Sequence, residues 1–340
     1  MCVLRSFIPG QQKKILRLSR HWVVNFERRT SRPSKLKVGT KGMVKMKKYQ
    51  LGDLSLRVYE PEGSPRAAVQ VAHGMEEHQG RYIPIAEYLA ERGFAVVTAD
   101  MRGHGESVPA ERLGFFAERD GYRRLIDDQL EVRDFIGERF PDLPVYLLAH
   151  SMGTIISRCV LEKHSERYDK VVLTGFPCTR KGVGFGIFLA DVQSAMFGAD
   201  HRSGFMQRLS TGVFNKAIEN PATEHDWICS DPEVVREFEE DPLCGFGFTV
   251  SALGDLFRLV RMMGDTSRAE RVRSDLPILL LSGAEDPCTG GGKGRESSKR
   301  LLRESGFSDL SEKVYPGMRH EILNERAHEE VFEDIADFFA

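Results

Sequence analysis

Ser151 lies in VYLLAHSMGTII, residues 145–156, where an apolar run meets a lone hydroxyl and then turns apolar again. A serine hydroxyl is a poor nucleophile until a base takes its proton. On a tight strand-to-helix turn such a serine needs small neighbours two places before and two after, so that the two elements can approach. Here these are Ala149 and Gly153. A helix cap would account for the same serine without any chemistry, because serine is a preferred N-cap residue.

The partners decide between the two readings. In a parallel sheet with such a turn, acid and histidine follow the serine in that order, each on a loop after a later strand. Of the histidines, only His164, His201, His225, His320 and His328 follow Ser151. His164 belongs to the helix leaving the serine, His201 and His225 to an inserted segment, and His328 to the last helix. His320, in YPGMRHEILNE, stands in the loop after the last strand and is the candidate base. For the acid, LLLSGAEDPCTG offers Asp286, which we prefer, and Glu285 as the alternative. Acyl transfer also needs N–H donors for the oxyanion. In VAHGMEEHQGRY, Gly74 lets the chain turn tightly and leaves the Met75 N–H beside that of Met152.

Side chains so far apart in sequence require a sheet that gathers its loops at one edge. Strand patterns occur at 44–50, 54–60, 67–73, 94–100, 145–150, 170–175, 277–283 and 312–317, and helical ones at 81–92, 118–139, 152–166 and 325–339. The alternation predicts an α/β fold with a mostly parallel eight-stranded sheet flanked by helices. Residues 178–272 interrupt the rhythm and read as an inserted helical cap, leaving 43–177 and 273–340 as the two parts of the core. In the cap, Phe185, Phe188, Leu189, Val192 and Met196 recur at helical spacing. Packing accounts for most of that spacing. Phe185, Phe188, Leu189 and Met196 are also candidates to line an apolar substrate channel. DMRGHGES, 100–107, reads as a tight loop that Gly103 and Gly105 permit and Arg102, His104 and Ser107 hold. GGGK, 290–293, reads as a flexible turn without the spacing of a phosphate-binding loop.

Composition narrows the partners. The net charge of -2 conceals fourteen basic residues against the single acid Glu27 in residues 1–48. The remainder carries 34 basic and 49 acidic residues, which argues against nucleic acid as a partner. Six cysteines without zinc-ligand spacing suit free thiols in a reducing compartment, and no metal or cofactor is expected. Cys244, in a Gly-flanked turn of the cap, reads either as a reactive thiol near the site or, the preferred reading, as a buried inert one. There is no apolar run of the roughly 18 residues that suggest a transmembrane helix, so a cytoplasmic location is expected. Residues 1–42 form a basic leader, read as disordered or as lying upstream of a later start at Met43 or Met46. Ile15, Leu18, Trp22 and Phe26 could nevertheless lie along one face of a helix on an anionic membrane. Peripheral membrane contact is therefore expected through the cap or the leader, and the oligomeric state is left open.

The motifs together resemble the monoacylglycerol lipase and lysophospholipase branch of the α/β-hydrolases, of the serine aminopeptidase S33 type. They are HGMEEHQGRY, DMRGHGES, AHSMG, SGAEDP and HEILNE, spread over about 44–340. The resemblance implies Ser151 as nucleophile, Asp286 and His320 as its partners, and Met75 and Met152 as oxyanion donors. It also implies an ester of monoacylglycerol or lysophospholipid as substrate. Ala149, and Thr154 where a second glycine is common, depart from the pattern. A small-ester or peptide hydrolase with the same triad, or a catalytically silent binding protein, are the rival readings. An epoxide hydrolase or dehalogenase would need an acid at position 151.

Overall fold

The computed structural model describes residues 44–179 and 182–340. The expected leader, with Ile15, Leu18, Trp22 and Phe26, lies outside them. Eight strands form one sheet: β1 (Lys45–Leu51), β2 (Leu54–Glu60), β3 (Ala67–Ala72), β4 (Phe94–Ala99), β5 (Val145–His150), β6 (Lys170–Thr174), β7 (Ile278–Gly283) and β8 (Leu310–Tyr315). Their order is β1-β2-β4-β3-β5-β6-β7-β8. The first two form an antiparallel hairpin, β2 pairs antiparallel with β4, and every later pairing is parallel. Parallel strands covered on both faces read as continuous apolar runs, and β3, β4 and β5 are buried at every position. Edge strand β1, KMKKYQL, instead exposes most of its side chains and carries lysines, which discourages pairing with a second sheet.

Two cores follow from the two covered faces. On one, α1 (Ile83–Glu91) and α9 (His328–Phe339) bury Ile85, Leu89, Val331, Ile335 and Phe339. On the other, α2 (Gly121–Arg139), α3 (Met152–His164) and α7 (Val250–Met263) bury Leu125, Ile136, Ile155, Leu253 and Leu259. Although α7 falls within the segment read as cap, it packs on α2 and α3 in this layer. The reason is topological: β6 and β7 are parallel neighbours, and parallel neighbours need a crossover, usually a helix.

The rest of the insertion rises above the sheet as α4 (Val183–Phe197), α5 (Gly204–Ser210) and α6 (Pro232–Glu240). Helix α4 lies along α7 by its small residues. A methyl at Gly186 would stand 3.0 Å from the Phe257 ring, and one at Gly254 2.9 Å from Ala190 Cβ. Ile187 and Leu189 turn inward, whereas Phe185, Phe188, Met196 and Phe197 are left exposed, with Phe205 of α5 following in sequence.

GGGK is not a free turn. Gly290 caps α8 (Gly291–Glu304), and a side chain at Gly294 would strike the Thr289 carbonyl. Glycine's low helix propensity hides this start from a sequence reading. Among the described residues no helix is long and apolar enough to cross a membrane, and the five cysteines form no disulfide.

Candidate active site

At the end of β5 the chain turns into α3 through Ser151, with φ 50° and ψ −117°. A non-glycine residue there costs about 1–3 kcal/mol and persists only when its surroundings hold it. The Ser151 N–H donates to Thr174 O at 3.0 Å. Its carbonyl accepts both the Thr154 N–H at 2.9 Å and the Thr154 hydroxyl at 2.7 Å. Thr154 thus ties the first turn of α3 to the serine. The Ala149 methyl is buried within the main core. Gly153 is sterically required, since a Cβ would lie 2.3 Å from Ala72 O and 2.7 Å from His73 O.

Ser151 Oγ is 2.8 Å from His320 Nε2, and His320 Nδ1 is 2.9 Å from Asp286 Oδ2. The three residues are 7%, 2% and 2% exposed. Asp286 also accepts the Cys288 N–H on Oδ1, at 2.7 Å. An ionised carboxylate only accepts, so Nδ1 carries the imidazole proton and Nε2 offers its lone pair to the serine. Burial works against the charged form of His320, but Asp286, with Glu321 and Glu77 farther out, outweighs it and raises the pKa. The neighbouring His150 ring, 4.8 Å away, is held down at about 4 by burial and by His320. Glu285, the alternative acid, is exposed.

The N–H groups of Met75 and Met152 donate to no acceptor among the described residues. Beside them the Gly74 N–H donates to Glu77 Oε1 at 2.5 Å, and a side chain at Gly74 would meet that oxygen and Ser151 Cβ. DMRGHGES supports this loop from behind. Asp100 accepts the N–H groups of Gln79 and Glu106, each at 2.8 Å, and the Ser107 hydroxyl donates to Asp100 O. His104 Nε2 accepts the Glu76 N–H at 3.3 Å, while Arg102 is bound to Asp128.

Ser151 stands where two cavities meet. The apolar one, about 270 Å³, is lined by residues including Ile155, Phe185, Leu209, Phe214, Trp227 and Phe257. The other, about 620 Å³, mixes the charged and polar side chains of Glu76, Gln207, Arg208, Lys216 and Glu321 with apolar ones such as Ile218 and Phe238. Of the four expected channel residues only Phe185 lines the apolar cavity. Leu189 packs on the core, and Phe188 and Met196 face outward, because α4 spends its inner face on close packing with α7. A helical spacing names a face without saying which way it turns. The wall is supplied instead by α3, α5, α7 and the Trp227 segment, whose approach is tertiary.

His78, Asp241 and Cys244 bring three potential metal ligands within 4.8 Å of one another. His78 Nδ1 accepts the Gly80 N–H at 3.1 Å, so Nε2 carries the proton and donates to Asp241 at 2.9 Å. That tautomer leaves no imidazole lone pair for a cation, and burial pushes the Cys244 thiol up. The set is a hydrogen-bonded pair beside an inert thiol.

A mostly parallel sheet with a serine at the strained end of a central strand, and an acid and a histidine after the last two strands, is the α/β-hydrolase fold. The chain belongs to the family described as serine aminopeptidase, S33, whose profile matches residues 63–327. It is 28% identical to the monoacylglycerol lipase of Mycolicibacterium smegmatis over 83% of this chain and 90% of that one. Against human monoglyceride lipase it is 28% identical over 80% and 81% of the two chains. A solved thermostable carboxyl esterase from Bacillus coagulans superposes with a TM-score of 0.80 at 28% identity, covering 87% of this chain and 97% of that one.

Proposed function

We propose that the chain is a serine hydrolase that cleaves lipid-like carboxylic esters, monoacylglycerol or lysophospholipid, by way of an acyl-enzyme. At the broader level its relatives make it a carboxylic ester hydrolase. The observation that supports the finer reading is the junction at Ser151, with an apolar cavity on one side and, on the other, one that adds charged side chains to its apolar wall. An amphiphilic ester fits such a junction, its acyl chain in the apolar branch and its alcohol in the mixed branch.

In this reading Ser151 Oγ attacks the carbonyl carbon while its proton passes to His320 Nε2. Asp286 stays ionised and stabilises the imidazolium, and the Met75 and Met152 N–H groups receive the oxyanion. As the tetrahedral intermediate collapses, the carbon–oxygen bond to the alcohol breaks and His320 protonates that oxygen. Water then gives a proton to His320 and attacks the acyl-enzyme, and as the second tetrahedral intermediate collapses His320 returns that proton to Ser151 Oγ, releasing the acid and the free serine. The exposed apolar side chains of α4 and α5 support contact of the cap with a lipid surface, where such substrates reside.

Ser151→Ala tests the reading. We expect turnover of a glyceryl ester to fall by roughly a million-fold, as when other triads lose their nucleophile, with labelling by a fluorophosphonate abolished and melting unchanged. Undiminished hydrolysis by Ser151→Ala would sink it. Matched amide substrates, run beside the esters, separate this reading from a peptidase using the same groups.

A further inference from the structure

Behind the oxyanion loop lies a buried ion network that the three-residue relay does not use. Arg81 grips Glu321 through two parallel bonds, Nη1 to Oε1 at 2.6 Å and Nη2 to Oε2 at 2.7 Å. Its Nη1 also reaches Glu77 Oε2 at 3.2 Å. The other oxygen of Glu77 accepts the Gly74 N–H at 2.5 Å and the Tyr82 hydroxyl at 2.8 Å. Glu77, Tyr82 and Glu321 are all buried. Glu77 is therefore part of the oxyanion loop's backbone geometry, and Glu321 is the residue next to His320. The cap meets the same guanidinium. The Phe238 ring of α6 lies 5.0 Å from it, and the Glu321 N–H donates to Ile228 O at 2.7 Å.

Placing three charges in a low-dielectric interior is costly unless their geometry is tightly matched. Here the matching joins two loops more than two hundred residues apart in sequence, each carrying one part of the proposed chemistry. Burial would favour a neutral Glu77, but His150 and Arg81 hold its pKa down at about 2. Glu77 is thus ionised at neutral pH.

We propose that Arg81 is a positioning residue for ester hydrolysis: its guanidinium binds Glu321 and Glu77 at once and so sets the spacing between His320 and the oxyanion donors. The inference rests on the reading of Ser151, His320 and Asp286 given above. An error of about 1 Å between reacting groups can cost a hundredfold in rate, so a clamp of this kind acts on kcat more than on substrate affinity.

Arg81→Lys is the first test, because an ammonium keeps the charge but cannot reproduce the planar fork. Rates are referred to the fraction of protein that a fluorophosphonate labels at end point, so unfolded molecules do not count. We expect kcat on a glyceryl ester to fall at least about tenfold with KM changed less than about threefold, the pattern of lost transition-state interactions. A kcat within about twofold of wild type, or a loss carried by KM alone, overturns the proposal on that same criterion.

Glu321→Gln is the second test and decides the matter if Arg81→Lys does not fold. The groups that act on the His320 ring are Asp286, Glu321, Glu77 and His150. Removing one anion makes the imidazolium less stable. The acidic limb of kcat/KM should therefore move to lower pH while kcat falls, and an unmoved limb with unchanged kcat overturns the proposal. Wild-type protein runs beside both variants. If its Ser151 is not labelled, the reading of the site has failed; if it is labelled and the variants match it, only the clamp has.

Discussion

In the proposed mechanism His320 must be neutral to take the serine's proton and must then hold it as a cation, and its surroundings favour the second state. Its pKa is raised above the ordinary 6.5, so the fraction of enzyme with a free base falls as pH drops through a value above 6.5. The acidic limb of kcat/KM is expected there, and a profile flat down to pH 5 would exclude His320 as base. His150, at about 4, stays neutral over the same range and does not blur the limb. Asp286→Asn should move the limb down and cut kcat by roughly ten-thousand-fold, as when other triads lose their acid. Much of this residue-level picture was legible in the sequence. Ser151, Asp286 and His320 were picked out by chain order and by the loops that hold them, and the structure brings them within hydrogen-bonding distance. The pairing of Glu77 and Glu321 through Arg81 was not legible, although all three lie in the quoted motifs, because it joins loops that meet only after the sheet has formed.

Among the elements, the turn from β5 into α3 carries the tightest requirement. Gly153→Val would drive its side chain against the carbonyls of Ala72 and His73, which are backbone and cannot swing aside. The helix must then retreat from β3, at a cost of about 1–3 kcal/mol for overpacking, and it carries the Met152 N–H with it. Denaturant unfolding should show the loss of stability, and a turnover assay at a temperature where the variant stays folded should show a further loss of rate. Full activity in the folded variant would mean that the turn tolerates displacement. Ala149 and Thr154, the two departures noted in the sequence, behave differently, since the first packs in the core and the second binds Ser151 through its hydroxyl. Strands β3 to β7 were legible because buried parallel strands are continuous apolar runs. Helix α8 was hidden by its glycine-rich start, and α7 by a position in sequence that gives no sign of which layer it joins.

For the whole molecule, the cap presents an unusual surface. Phe188, Met196 and Phe197 of α4 and Phe205 of α5 are each more than half exposed, and contiguous exposed apolar surface commonly marks an interaction site. If that surface meets lipid, replacing Phe188 and Met196 by serine should weaken co-sedimentation with phospholipid vesicles. Hydrolysis of a soluble short-chain ester should stay as it was, because neither side chain lines a cavity at Ser151. Equal vesicle binding by the wild type and the double variant would count against the cap as the contact. The forked site has a temporal consequence as well. Once the ester bond breaks, the alcohol can depart through the mixed branch while the acyl group remains attached in the apolar one. The mixed branch is then vacant for the next nucleophile, and any small alcohol present there competes with water for the acyl group. On the proposed mechanism the same geometry predicts acyl transfer to such alcohols as well as to water, a partition that product ratios at rising glycerol concentration would reveal.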